Sequence, residues 1–86
     1  YMKYAALELA GKGIRCNAVQ PGRINTPLIS NRLLSEEDVT KDIEQYPMKR
    51  YGKPEEVAHA IIYLLSDASA WVTGTNLVID GGRSLK

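Results

Sequence analysis

Eighty-six residues carrying a net charge of +1, with 44% hydrophobic and 24% charged side chains, match an ordinary globular chain and exclude a disordered or fibrous one. The basic residues are scattered, so no electrostatic stripe invites nucleic acid, and the longest apolar run, Ala60 to Leu65, falls far short of the roughly 20 residues that span a bilayer. A chain this short buries only about 60% of the surface its unfolded form exposes, so one domain is the upper bound and any independent core is thin.

Tyr1 to Ala10 is rich in Ala and Leu, with Met2, Ala5, Ala6 and Leu9 on one face, and Gly11 and Gly13 follow as left-handed stop positions. The pattern predicts a helix ending near Gly11. Ile14 to Gln20, halted by Pro21-Gly22, has the length and punctuation of a strand, and its apolar groups on both faces suit a strand covered on both sides. Cys16, the one cysteine, sits in this run as a small buried hydrophobe, in keeping with a reducing, cytoplasmic compartment.

Leu28 to Leu34 offers a short, partly apolar segment that is either helical or lid-like. Ser35 with Asp38 forms an N-cap pattern, and Val39, Ile43 and Tyr46 make a narrow apolar stripe, so a helix is expected over 36–45, ended by Tyr46-Pro47. Pro54 fits the first position of a further helix, with Glu55 and Glu56 at the positive end of its dipole. Its apolar residues Val57, Ala58, Ile61, Ile62, Leu64 and Leu65 cover more than one stripe, so two sides should be buried, one of them against a sheet. After Ser66-Asp67 and a turn at Val72-Thr73-Gly74, Asn76 to Asp80 reads as a buried strand closed by Gly81-Gly82.

The order is helix, strand, helix, helix, strand. A connection of about fifty residues containing a helix makes the strands parallel neighbours in one sheet, joined by a right-handed crossover. Two such strands cannot close a core by themselves, because isolated two-stranded sheets are marginal in water. Tyr1 opens the chain without an initiator methionine and already in a helical pattern, with no signal-peptide layout. Residues 1–86 are therefore expected to be the C-terminal fragment of a single larger α/β domain.

Three motifs occur in order: Ala5-Ala6-Leu7-Glu8-Leu9-Ala10-Gly11-Lys12-Gly13-Ile14-Arg15-Cys16-Asn17-Ala18-Val19-Gln20-Pro21-Gly22, Arg50-Tyr51-Gly52-Lys53-Pro54-Glu55-Glu56-Val57-Ala58, and Thr73-Gly74-Thr75-Asn76-Leu77-Val78-Ile79-Asp80-Gly81-Gly82. Together they resemble the late helix, sixth strand, last large helix and final strand of classical short-chain dehydrogenases/reductases, in a 3-oxoacyl-ACP-reductase-like or sugar/alcohol-dehydrogenase-like version. The resemblance implies the C-terminal part of a Rossmann-type doubly wound parallel sheet. It also implies a parent oxidoreductase that interconverts a carbonyl and an alcohol of a small-molecule substrate by hydride transfer with NAD or NADP. By the same resemblance, Pro21, Gly22, Ile24 and Thr26 line the nicotinamide end of the cofactor, with the Ile24 backbone and the Thr26 hydroxyl near the carboxamide. Taken without the resemblance, Pro21-Gly22 also fits an ordinary strand-to-loop turn.

The family's acid/base tyrosine with a lysine four residues on has no counterpart here, because Tyr1, Tyr4, Tyr46, Tyr51 and Tyr63 are followed at that spacing by Ala5, Glu8, Arg50, Glu55 and Asp67. The Gly-rich phosphate loop is absent too, so no catalytic residue is assigned and these residues alone are not expected to be active. His59 has no second ligand at metal spacing, and no metal site is assigned. Asn17 is read as a backbone-bonding residue and Trp71 as a subunit contact. Arg23, Leu28 and Ile29 fall where such enzymes cover substrate, with lid packing or solvation as the equal alternative.

The expected partners are the missing N-terminal part of the same protein and further copies of it, a dimer or tetramer formed through the last helix and last strand. A rival reading makes the chain a non-catalytic module that docks on another chain through its sheet edge and apolar helix faces.

Overall fold

The computed structural model describes residues 1–25 and 35–85. The expected helical or lid-like stretch at Leu28 to Leu34, with Thr26, lies outside them. Helix α1 (Met2–Leu9) is Ala- and Leu-rich and runs into a tighter turn at Ala10–Lys12. The chain leaves it at Gly13, whose φ of 76° is a left-handed conformation open to glycine at little cost, so the stop falls two residues beyond Gly11.

Strand β1 (Ala18–Pro21) starts later than the sequence pattern over 14–20 suggests and includes Pro21. The residues before it are bonded to a turn instead of a ladder. The Gly74 amide donates to the Cys16 carbonyl at 2.8 Å, and the Cys16 amide donates to Thr73 Oγ1 at 3.1 Å. Asn17 acts on backbone, as expected: its side chain donates to the Val72 carbonyl at 3.0 Å and accepts from the Thr75 amide at 2.9 Å. Strand β2 (Asn76–Ile79) then pairs with β1 in parallel, from Ala18 opposite Asn76 to Pro21 opposite Ile79. Pro21 has no N–H to give, and the ladder continues through the Gly22 amide, which donates to the Ile79 carbonyl at 2.9 Å.

Helix α2 (Glu36–Glu44) is capped by Ser35, whose hydroxyl accepts from the Asp38 amide at 3.1 Å. Helix α3 (Pro54–Leu65) carries Pro54 in its first turn. Glu56 secures that end: its carboxylate accepts from the Lys53 amide at 2.9 Å and takes both Arg50 guanidinium nitrogens, at 2.7 and 2.9 Å. The element order and the parallel pair agree with the expected doubly wound α/β architecture.

Arg15 staples the far end of α3 to the start of β1. Its guanidinium donates to Ser69 Oγ at 3.0 Å, to the Val72 carbonyl at 3.2 Å and to the Ser66 carbonyl at 3.3 Å. Ser69 is 1% exposed and passes its own hydroxyl between the Leu64 and Ser66 carbonyls. These bonds satisfy carbonyls that the end of a helix leaves without partners.

Burial elsewhere is sparse, with only Ala6, Tyr46 and Ser69 buried among the described residues. Ile62 is 62% exposed and Leu65 79%, so the second apolar side of α3 faces solvent in the single chain. The accessible surface is 6618 Å², against roughly 5000 Å² for a compact monomer of this mass. The radius of gyration, 16.0 Å, exceeds the roughly 12 Å of a compact chain of this length. Among the described residues no helix is long and apolar enough to cross a membrane.

Two outcomes follow from the polar staples. Ser69→Ala strips Arg15 of a buried acceptor and should lower unfolding free energy by about 1–3 kcal/mol in denaturant titration. The Glu56 carboxyl is held below its ordinary 4.5, at about 2, first by the Arg50 hydrogen bonds and then by the Lys53 amide. A carboxylate depressed on folding stabilises the fold above its unfolded pKa and loses that contribution as pH falls through the folded value, here between about 4.5 and about 2. Glu56→Gln should therefore flatten the acid limb of a pH–stability curve in that window, and an unchanged limb would contradict the pairing.

Candidate functional site

The parallel register brings the exits of β1 and β2 side by side, and the candidate residues sit at the β1 exit. Gly22 passes so close to Asp80 that a Cβ built on it would lie 3.0 Å from Asp80 Cβ, 3.1 Å from Asp80 Cα and 3.1 Å from the Tyr46 ring. Its missing side chain makes room for the exit of the protein's own second strand and for Tyr46.

Ile24 forms an isolated parallel bridge with Gly52. The bridge uses its neighbours' backbone, since the Gly52 amide donates to the Arg23 carbonyl at 3.1 Å and the Asn25 amide to the Gly52 carbonyl at 2.8 Å. In a parallel ladder the residue between two such bonds turns its own N–H and C=O the other way. Among the described residues neither backbone group of Ile24 has a hydrogen-bond partner. One donor and one acceptor thus lie together between an Arg23 whose N–H and C=O are both engaged and an Asn25 whose N–H is engaged.

The segment is held from several sides. Tyr46, buried at the end of α2, accepts from the Arg23 amide through its hydroxyl at 3.0 Å. Its ring meets that of Tyr51 edge-on, with centroids 6.1 Å apart. Asp42 Oδ2 takes both the Arg23 guanidinium and the Tyr51 hydroxyl, each at 2.6 Å. Burial first, and then the hydrogen bond to Asp42, push the Tyr51 phenol above its ordinary pKa, while the Arg23 guanidinium is raised by its contact with Tyr51 and by the Asp42 charge. Across the register, burial pushes the Asp80 carboxyl up, but the Ser84 hydroxyl and the amides of Ser84, Gly82 and Arg83 outweigh it and leave it below the ordinary value. Gly22, Ile24, Tyr46, Gly52, Ile79 and Asp80 help to line a cavity of about 100 Å³ at this junction.

Of the residues expected at the site, Pro21, Gly22 and Ile24 are thus brought together, and Thr26, Leu28 and Ile29 lie outside the described residues. Arg23 is turned onto Asp42. His59 and Trp71 are exposed and stand apart from this junction, and among the described residues no group of three or more His, Cys, Asp or Glu is arranged to hold a metal. Asp42, Tyr46 and Tyr51 were not assigned to the site by sequence, where Tyr46 read as an apolar stripe member at a helix end. Arg23 and Asp42 are 19 positions apart and Arg23 and Tyr46 are 23, and no motif links residues at such distances.

Comparison with known proteins places this geometry in a family. The family model described as Enoyl-(Acyl carrier protein) reductase matches residues 1–84. Cyclohexanol dehydrogenase from Acinetobacter sp. (strain SE19) is 46% identical over 84 residues, covering 98% of this chain and 32% of that protein. A short chain dehydrogenase family protein from Francisella tularensis superposes with a TM-score of 0.87 at 35% identity, over 99% of this chain and 39% of that one. A 4-hydroxyisoleucine dehydrogenase complexed with NADH superposes with a TM-score of 0.90 at 30% identity, over 99% of this chain and 35% of that one. The chain spans about a third of the length of these proteins. With residues 1–84 matched by the family model, the chain belongs to the short-chain dehydrogenase/reductase family.

Proposed function

We propose that the chain supplies the nicotinamide end of the cofactor site in an NAD(P)-dependent oxidoreductase that interconverts a carbonyl and an alcohol. The observation that carries this reading is Ile24, whose N–H and C=O are both unpaired among the described residues while the Arg23 N–H and C=O and the Asn25 N–H beside it are engaged. A carboxamide has one acceptor oxygen and two N–H donors, so a donor and an acceptor on one residue complement it. Pro21 and Gly22 fix where that residue stands, through the ladder to Ile79 and the close approach to Asp80. The bound nicotinamide supplies the hydride chemistry; these residues orient its carboxamide and take no part in proton transfer. The groups that move the proton belong to a part of the protein outside these 86 residues. The relative acting on cyclohexanol and the neighbour complexed with NADH support the reading.

The solvent-facing side of α3, with Ile61, Ile62 and Leu65, is suited to cover by the rest of the same domain and by a second copy. Those faces would serve a docking module equally well. The Ile24 pair is what favours the enzyme.

The reading is tested by titrating the complete protein with NADH, NADPH and their acetylpyridine analogues, in which a methyl group replaces the carboxamide nitrogen. Loss of that donor leaves the Ile24 carbonyl without a partner and should weaken binding about tenfold. Equal affinity for natural and analogue cofactors, or no binding of either dinucleotide, would defeat the proposal.

A further inference from the structure

We propose that Asp42 is a positioning residue for the cofactor's carboxamide, acting through Arg23 and Tyr51 without touching the cofactor itself. The inference rests on the Ile24 reading above and adds a residue to it. Arg23 immediately precedes Ile24 and Tyr51 immediately precedes Gly52, so the two groups that Asp42 holds stand one on each side of the Ile24–Gly52 bridge. One carboxylate oxygen takes both donors at 2.6 Å, short charge-assisted bonds that fix direction as well as distance. The bridge itself has only two backbone hydrogen bonds, and neither belongs to Ile24. Asp42 therefore ties together, from α2, the two segments whose spacing decides where the Ile24 N–H and C=O point.

The surroundings argue against a purely stabilising role. The Arg23 side chain is 46% exposed and that of Asp42 30%, and ion pairs so open to solvent contribute little to global stability. Tyr46 already holds the Arg23 amide and packs on the Tyr51 ring, so the cluster keeps its packing when the carboxylate charge is removed. What the charge adds is orientation of the bridge. An error of a fraction of an ångström there is felt by a ligand that needs two hydrogen bonds at once.

The experiment measures, in the complete protein, the dissociation constant for NADH or NADPH, the cofactor KM, kcat at saturating cofactor, and Tm. Asp42→Asn keeps an acceptor oxygen but removes the charge that strengthens both bonds, and should raise both the dissociation constant and KM about tenfold, with kcat held within about twofold and Tm little changed. Asp42→Glu, which restores the charge, should recover most of the affinity. Tyr51→Phe keeps the ring contact, removes one of the two bonds, and should give an intermediate loss; it also stands in should Asp42→Asn fail to fold. If the unaltered protein binds a dinucleotide and neither Asp42→Asn nor Tyr51→Phe alters that affinity, the positioning role is overturned while the cofactor site stands. If the unaltered protein binds neither dinucleotide, both readings fall together.

Discussion

The parallel register of β1 against β2 is the constraint from which the candidate site follows. Setting Pro21 opposite Ile79 aligns the two strand exits, and the Gly22 amide extends the ladder by one more bond. That bond sets Gly22 so close to Asp80 that an added Cβ would force its neighbours to give by a few tenths of an ångström. The chain beyond it meets Gly52 as a lone bridge, and the alternation of a parallel ladder turns the Ile24 backbone groups away from their neighbours. Arg23, Asp42, Tyr46 and Tyr51 then hold the bridge from α2 and the loop after it. Ligands of doubly wound sheets lie outside the carboxyl ends of strands, and this junction is such an end.

Features encoded by near neighbours in sequence were legible. Ser35 caps α2 and Pro54 begins α3, each through contacts recognisable from residue type and local order. The β1 start was not, because hydrophobic alternation cannot tell a ladder from an extended segment bonded to a distant turn, and residues 14–17 are the second kind. The helix stop moved from Gly11 to Gly13 because a tighter turn carried the chain past the first of two equivalent signals.

The site was legible in its position and hidden in its supports. Pro21-Gly22 marks a strand exit in any sequence, and the family resemblance pointed to Ile24. The unpaired state of the Ile24 backbone depends on Gly52, far along the chain, and no residue type announces it. The same holds for the carboxylate that bridges Arg23 and Tyr51, since Asp42 reads in sequence as one more solvent-facing residue of an acidic helix. At Gly22 the close neighbours are Asp80 and Tyr46, which no local pattern in the sequence names.

Amide exchange at Ile24 in the complete protein, followed residue by residue by NMR, tests the central claim without altering any residue. Without cofactor the Ile24 amide should exchange much faster than those of Gly22, Arg23 and Asn25, and addition of the dinucleotide should slow it selectively. An Ile24 amide already protected in the free protein, or one whose exchange the dinucleotide leaves unchanged, would contradict the account.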